Sequence, residues 1–236
     1  MKRLLVLGLW VSFFQVNAQN NADLLKHYEA YYKQMKKQGD VQGIVNAITH
    51  LNIIKPSQER LDTLGYIYMS EGQYSQALNT IGIDKLANDS DLAIKVKAIS
   101  LKSVGQPKLA IGFFEDMFNR SPNPLIAYEL AELNLQIQNF EEADKHITYG
   151  LANSKDDMTK AFYETQTPYQ VPLKTAFMYL NALLTYNKDK IANIDPAVDI
   201  LDSALKTAPN FNLIQLTKNE LLRQKQVNQA AAQPKN

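Results

Sequence analysis

Apolar residues recur at spacings of three and four through most of the chain, the period of a helix that buries one face. Ile94, Ala98 and Leu101 form one such stripe. Ala110, Phe114, Met117 and Phe118 form the next, with Gly105 and Pro107 between the two. The pattern predicts short helices in pairs, joined by tight turns. Boundary residues agree with it. Asn123 before Pro124, and Asp195 before Pro196, read as a helix cap followed by the first helical residue. Asn139, with Glu142 three residues on, has the form of a capping box.

The pairs repeat. Gly39, Gly72 and Gly105 stand 33 residues apart, and Gln138 holds the corresponding fourth site. Two residues on, the same register gives Val41, Tyr74, Pro107 and Phe140. Further along come Ile44, Ala77, Ala110 and Ala143, then Ile48, Ile81, Phe114 and Ile147. Pro56 and Pro122 close two of the units. A glycine ahead of each second helix suits the left-handed turn that a helical hairpin needs.

Leu64-Gly65-Tyr66-Ile67-Tyr68, followed by Gly72, Tyr74 and Ala77, resembles the tetratricopeptide-repeat signature. The third unit is similar through Ala110, Phe114 and Pro122, and the fourth through Leu130, Ala131, Phe140 and Ala143. A fifth, interrupted unit begins near Phe177 and closes with Ala197, Leu201, Ala204 and Pro209. The resemblance covers roughly residues 22 to 209. It implies an all-α fold, a right-handed superhelical solenoid of about five helical hairpins with a C-terminal capping helix. Repeats one to four are expected over residues 19–152, the fifth over 173–209, and the capping helix over 210–226. A polar, alanine-rich tail over 227–236 is expected to be disordered.

The departures from the repeat pattern carry their own expectations. Tyr32, Ile44 and Leu51 are bulky where the pattern wants small residues, which suits an N-terminal cap. Asp84 replaces the final small apolar residue, so the second helix of the second unit should end early or fray. Residues 153–172 form an inserted loop, far longer than the usual connection. Within it, Asp157 to Glu164 reads as a short helix with Met158, Ala161 and Phe162 on one side. Thr167 to Pro172 should be extended, because proline disfavours the helical conformation in the residue before it. Whether this loop fills a groove or builds a contact site stays open. A second insertion, Asn187 to Ile194, lengthens the turn inside the fifth unit.

Lys2 and Arg3 precede an apolar run from Leu4 to Phe14, and Val16 and Ala18 supply the small residues of a cleavage site. This is the make-up of a signal peptide over residues 1–18, cleaved after Ala18. The run is about half the roughly 20 apolar residues that a bilayer span requires. The expected destination is the periplasm or cell envelope, or the exterior by secretion, with no transmembrane span.

Charge and composition narrow the chemistry. The whole chain carries 25 basic and 24 acidic side chains; without Lys2 and Arg3 the balance is near −1. That excludes the large basic excess of a nucleic-acid binder. With no cysteine there is no disulfide framework, thiol nucleophile or lipid-modified cysteine. His27, His50 and His146 fall in three different repeats, none at a metal-ligand spacing. No glycine-rich phosphate loop and no nucleophile elbow is present. No catalytic residue, metal site or cofactor is expected, and the chain is read as not an enzyme.

The resemblance instead implies a groove lined by the first helices of successive repeats. Its candidate partner-binding residues are Lys33, Lys36, Tyr66, Met69, Lys95, Ile99, Lys102, Tyr128 and Leu135. The clamp of lysine, asparagine and arginine found in chaperone-binding members is not reproduced: Lys95 fits it, but Ile99 stands where arginine is expected. The expected role is a non-catalytic protein-interaction or scaffold module that holds a protein or peptide segment in this groove. The alternative is a passive structural subunit of an envelope complex, working through its convex face or the inserted loop. A bland reading of the groove residues, as an ordinary solvated face with scattered apolar atoms, stands beside both.

Overall fold

The structure, a computed structural model, describes residues 21–232. The expected signal peptide and its cleavage site at Ala18 lie outside the described residues, as does the end of the expected tail. Contacts divide the chain into two compact units, one ending at Val104 and the other beginning at Gly105.

The first unit holds α1 (residues 21–38), α2 (Val41–Ile54), α3 (Gln58–Ser70), α4 (Tyr74–Ile81) and α5 (Asp91–Ser103). Polar side chains fix where these helices start. Asp40 accepts from the Gly43 amide at 2.9 Å, and Ser90 accepts from the Ala93 amide at 3.0 Å. These caps satisfy amides that the first turn leaves without intrahelical partners. Gly39 and Gly72 take φ of 71° and 72°, the left-handed turns expected from their column. Helix α4 stops at Ile81, before Gly82 at φ 78°, so it ends ahead of Asp84 as the sequence predicts.

The loop that replaces the missing turn of α4 is held by buried polar groups. Lys97, on α5 and 1% exposed, bonds to Asp89 Oδ1 and Oδ2 at 2.7 and 2.8 Å and to the Asp84 carbonyl at 2.7 Å. Ser90 Oγ donates to Asp62 Oδ2 at 2.6 Å, and Gln58 Nε2 donates to Asp62 Oδ1 at 2.8 Å. The loop is therefore tied to both α3 and α5. Apolar packing continues around Met69, Ala77, Ile81 and Val96.

The second unit holds α6 (Pro107–Arg120), α7 (Pro124–Gln136), α8 (Phe140–Asn153), β1 (Thr159–Phe162), β2 (Tyr169–Pro172), α9 (Leu173–Lys188), α10 (Ile194–Thr207) and α11 (Asn212–Ala232). Helices α7 and α8, and α9 and α10, pack as antiparallel neighbours in sequence, with α11 against α10. One core runs through them, centred on Tyr128, Phe177, Leu201 and Phe211. Asn123 caps α7 as the sequence suggests, accepting from the Leu125 amide at 2.8 Å.

Four local expectations are corrected. Residues 159–162 form a strand where a helix over Asp157 to Glu164 is expected. An isolated helix of two turns has too few hydrogen bonds to offset its nucleation. The extended, proline-bounded segment Tyr169–Pro172 offers it a ladder instead, pairing Lys160 with Val171 and Phe162 with Tyr169. Asp195 does not cap α10, which already begins at Ile194; the Asp189 carboxylate accepts from the amides of Ile191 and Ala192 in the preceding turn. Asn139 makes no side-chain cap bond to α8. Helix α11 continues to Ala232 rather than stopping at Gln226, because glutamine and alanine over this stretch are good helix formers.

Candidate functional site

In the first unit the first helices of the hairpins are α1, α3 and α5. Glu59, Thr63, Tyr66 and Ser70 follow one another at helical spacing along α3, as do Leu92, Lys95, Ile99 and Lys102 along α5. The two stripes meet where the Lys95 ammonium lies 5.7 Å from the centre of the Tyr66 ring. Tyr66 remains 38% exposed and Lys95 is exposed, so the pair is a surface cation–π contact worth about 0.5–1 kcal/mol. Ile99 is half-buried, resting on the cluster of Met69, Ala77, Ile81 and Val96. Lys102 is half-buried; Lys33 and Lys36 are exposed on α1. Between α1 and α3 lies a cleft of about 270 Å³ bordered by Glu29, Tyr32, Leu51 and Arg60.

Met69 does not take part in this face. It is 8% exposed and belongs to the core of the unit, since its position turns the side chain toward α4 and α5.

The second unit presents the corresponding face with α7, α9 and the start of α11, and the β-hairpin lies on it. Alternation along the strands sends Lys160, Phe162, Tyr169 and Val171 to one side, with Thr159 and Gln170 joined on the other by a 2.8 Å hydrogen bond. On the inward side, Lys160 Nζ pairs with Glu129 Oε1 of α7 at 2.5 Å and lies 4.7 Å from the centre of the Tyr128 ring. Phe162 packs on Phe211 with centroids 4.7 Å apart, and Tyr179 of α9 approaches Phe211 at 5.6 Å. The base of the hairpin is closed by the Leu173 amide donating to the Met158 carbonyl at 2.8 Å.

This arrangement removes Tyr128 from the candidate groove. Tyr128 is fully buried, between Lys160 on one side and the edge of Phe177 on the other. Its hydroxyl has no hydrogen-bond partner among the described residues. Burial, reinforced by Glu132 and Glu129, raises its pKa well above that of an ordinary phenol. Tyr169, which donates to Glu164, is pushed up to about 12 by burial and then by that hydrogen bond. Tyr179 is also raised by burial, with Thr217 Oγ1 donating to its hydroxyl at 3.4 Å. Leu135 is half-buried against the same core, not held out to solvent.

Glu129, Lys160 and the Lys97–Asp89 pair were not among the candidates from the sequence. A lysine or glutamate reads as a solvated residue unless its partner is known, and Lys160 is 31 residues from Glu129. Alternation in Thr159-Lys160-Ala161-Phe162 was the one signal available for the strand.

The described residues contain no cluster of three or more histidine, aspartate or glutamate side chains arranged to hold a metal ion. Tyr28 stacks on His50 with centroids 4.3 Å apart and meets the edge of His27, which gives two of the histidines aromatic neighbours. No described helix is long and apolar enough to cross a membrane.

No family model matches the sequence, and no curated protein matches it. Solved structures do match the fold. A tetratricopeptide-repeat protein from Parabacteroides merdae is 14% identical and superposes with a TM-score of 0.62, over 89% of this chain and 77% of that one. Residues 41 to the end of MamA from Desulfovibrio magneticus are 15% identical, with a TM-score of 0.59 over 80% of this chain and 98% of that one. PilW, described as a widely conserved type IV pilus biogenesis factor, is 14% identical, with a TM-score of 0.51 over 91% and 95%. The repeated helical hairpins, the glycine turns between them and these likenesses together make this chain all-α with the fold of the tetratricopeptide-repeat proteins.

Proposed function

We propose that the chain is a non-catalytic protein-interaction module, exported to the periplasm or cell envelope, that holds a segment of a partner protein against the α3–α5 face of its first unit. The observation that carries this reading is the juxtaposition of exposed Lys95 with the exposed Tyr66 ring. A face combining a partly exposed aromatic ring, a half-buried Ile99 and flanking lysines suits an acidic segment with apolar anchors. Lys33, Lys36, Lys95 and Lys102 supply charge, while Tyr66 and Ile99 supply apolar surface. Export is supported by Lys2, Arg3 and the apolar run to Phe14. An envelope setting is in keeping with the shared fold of PilW, though that likeness is one of fold alone.

Crosslinking in the native envelope followed by mass spectrometry identifies the partner and the face, and binding kinetics then test it. Lys95→Glu with Lys102→Glu should slow association, most visibly at low salt, because rim charges steer encounter. Tyr66→Ala should instead speed dissociation by removing a desolvated anchor. Wild-type kinetics in both variants would exclude this face.

A passive structural role through the inserted loop is the second reading. It is favoured by Tyr163, which stands 74% exposed beside the hairpin. Loss of binding in Tyr163→Ala, with Tyr66→Ala unaffected, would move the contact there.

A further inference from the structure

The hairpin lies on its own unit as a bound segment would. β1 sends a lysine and, two residues later, a phenylalanine down onto helix α7 and the turn before α11, where the Glu129 carboxylate and the Phe211 ring receive them. Three observations argue that this covering is reversible. A two-stranded hairpin of four residues a side is at best marginally stable by itself, so its placement rests on the packing of Phe162 and Val171 against the helices beneath. The Lys160–Glu129 pair keeps 23% and 20% side-chain exposure, so water already reaches its edge. Beneath it the Tyr128 hydroxyl is fully buried with no hydrogen-bond partner among the described residues, and a buried unsatisfied polar group disfavours the covered state.

We propose that the hairpin is a tethered stand-in for a partner, and that the α7–α9–α11 face binds an extended protein segment carrying a lysine or arginine two residues before an aromatic residue. Glu129 receives the cation and the Phe211 ring receives the aromatic side chain, the places Lys160 and Phe162 hold when the face is covered. A tether gives the hairpin a high effective concentration, so a free segment must compete with it. The apparent affinity is then the intrinsic affinity multiplied by the fraction of molecules whose hairpin is lifted. The hairpin therefore sets a threshold that weak partners do not pass. This inference concerns the second unit and does not depend on the reading of the α3–α5 face.

The probe is a fluorescein-labelled peptide of residues 157–163, with a control peptide in which the lysine is glutamate and the phenylalanine alanine. Fluorescence anisotropy is measured against the full chain, wild type and Lys160→Ala, each checked for wild-type circular dichroism. Lys160→Ala should bind the probe at least about tenfold more tightly than wild type, because the tethered competitor is weakened. Adding Glu129→Gln to Lys160→Ala should remove most of that gain, and the control peptide should not bind. Equal affinity of wild type and Lys160→Ala, or equal binding of probe and control, overturns the proposal. Hydrogen exchange on the wild-type chain tests it without any substitution. Amides of 159–162 should exchange at least about tenfold faster than those of Leu130 to Leu133 in α7. Equal protection would mean that the hairpin lifts only on global unfolding, and the proposal would fail.

Discussion

The ring of Phe177 lies against the backbone of Gly150, so close that a Cβ built on Gly150 would stand 2.0 Å from the ring Cζ. Both residues are buried, and Phe177 on α9 packs against α8 only because position 150 has no side chain. Helix propensity alone would make Gly150→Ala stabilising by about 1 kcal/mol. The contact reverses that sign: Gly150→Ala should lower stability by about 1–3 kcal/mol through overpacking. Urea midpoints measure the effect, and adding Phe177→Leu should restore part of the loss.

The Lys97–Asp89 pair is expected to govern the stability of the first unit. Lys97 is 1% exposed and Asp89 6% by side chain, so removing either leaves a buried charge without its counterpart. Lys97→Ala should cost about 3–5 kcal/mol, whereas Lys97→Met combined with Asp89→Leu should cost much less. Denaturant melts of the two single variants and the double variant give the comparison. Additive losses would show that the pair does not act as a unit.

Gln138 occupies the fourth site of the glycine column at φ 61°, the non-glycine residue with positive φ among those described. It is exposed, so its side chain contributes little packing to set against the backbone strain. Gln138→Gly should therefore raise stability by up to about 1 kcal/mol. Gly72→Ala, at φ 72° with open space around the missing Cβ, should lower it by about the same amount. Thermal melts of the two variants should shift in opposite directions.

Stability should fall in mild acid partly through His146. Burial lowers its pKa below the ordinary 6.5, with Glu142 opposing and Lys145 adding to the shift, and its ring meets the edge of Phe118 at 5.3 Å. The folded state thus prefers the neutral ring, and the unfolded chain takes up the proton first as pH falls. The contribution is fully present above the ordinary histidine value and is lost as pH drops from there through the folded-state pKa. Urea midpoints between about pH 8 and about pH 5.5 should fall more steeply in wild type than in His146→Gln. Parallel curves would remove His146 as a source of acid sensitivity.

The repeat register was readable from the sequence because it rests on local properties, volume and period. Ala77, Ala110 and Ala143 are all fully buried, and Ile48, Ile81, Phe114 and Ile147 are no more than 9% exposed. Gly39, Gly72 and Gly105 adopt the left-handed turns that a residue without Cβ permits. Helix α4 does end early, at Ile81, where Gly82 takes a positive φ ahead of Asp84. The placement of polar and aromatic side chains did not follow, because it depends on partners far away in the chain. Lys95 and Tyr128 stand one repeat apart at the same register, yet Lys95 is exposed and Tyr128 fully buried. The difference lies in an insertion whose Lys160 covers Tyr128 from 32 positions away. Lys97 is buried for a similar reason, since Asp89 and the Asp84 carbonyl are brought to it by the loop after α4. Sequence alone determined which residues can pack between helices of fixed period. Tertiary structure decided which charges and rings meet, because desolvation and pairing depend on groups that share no local pattern.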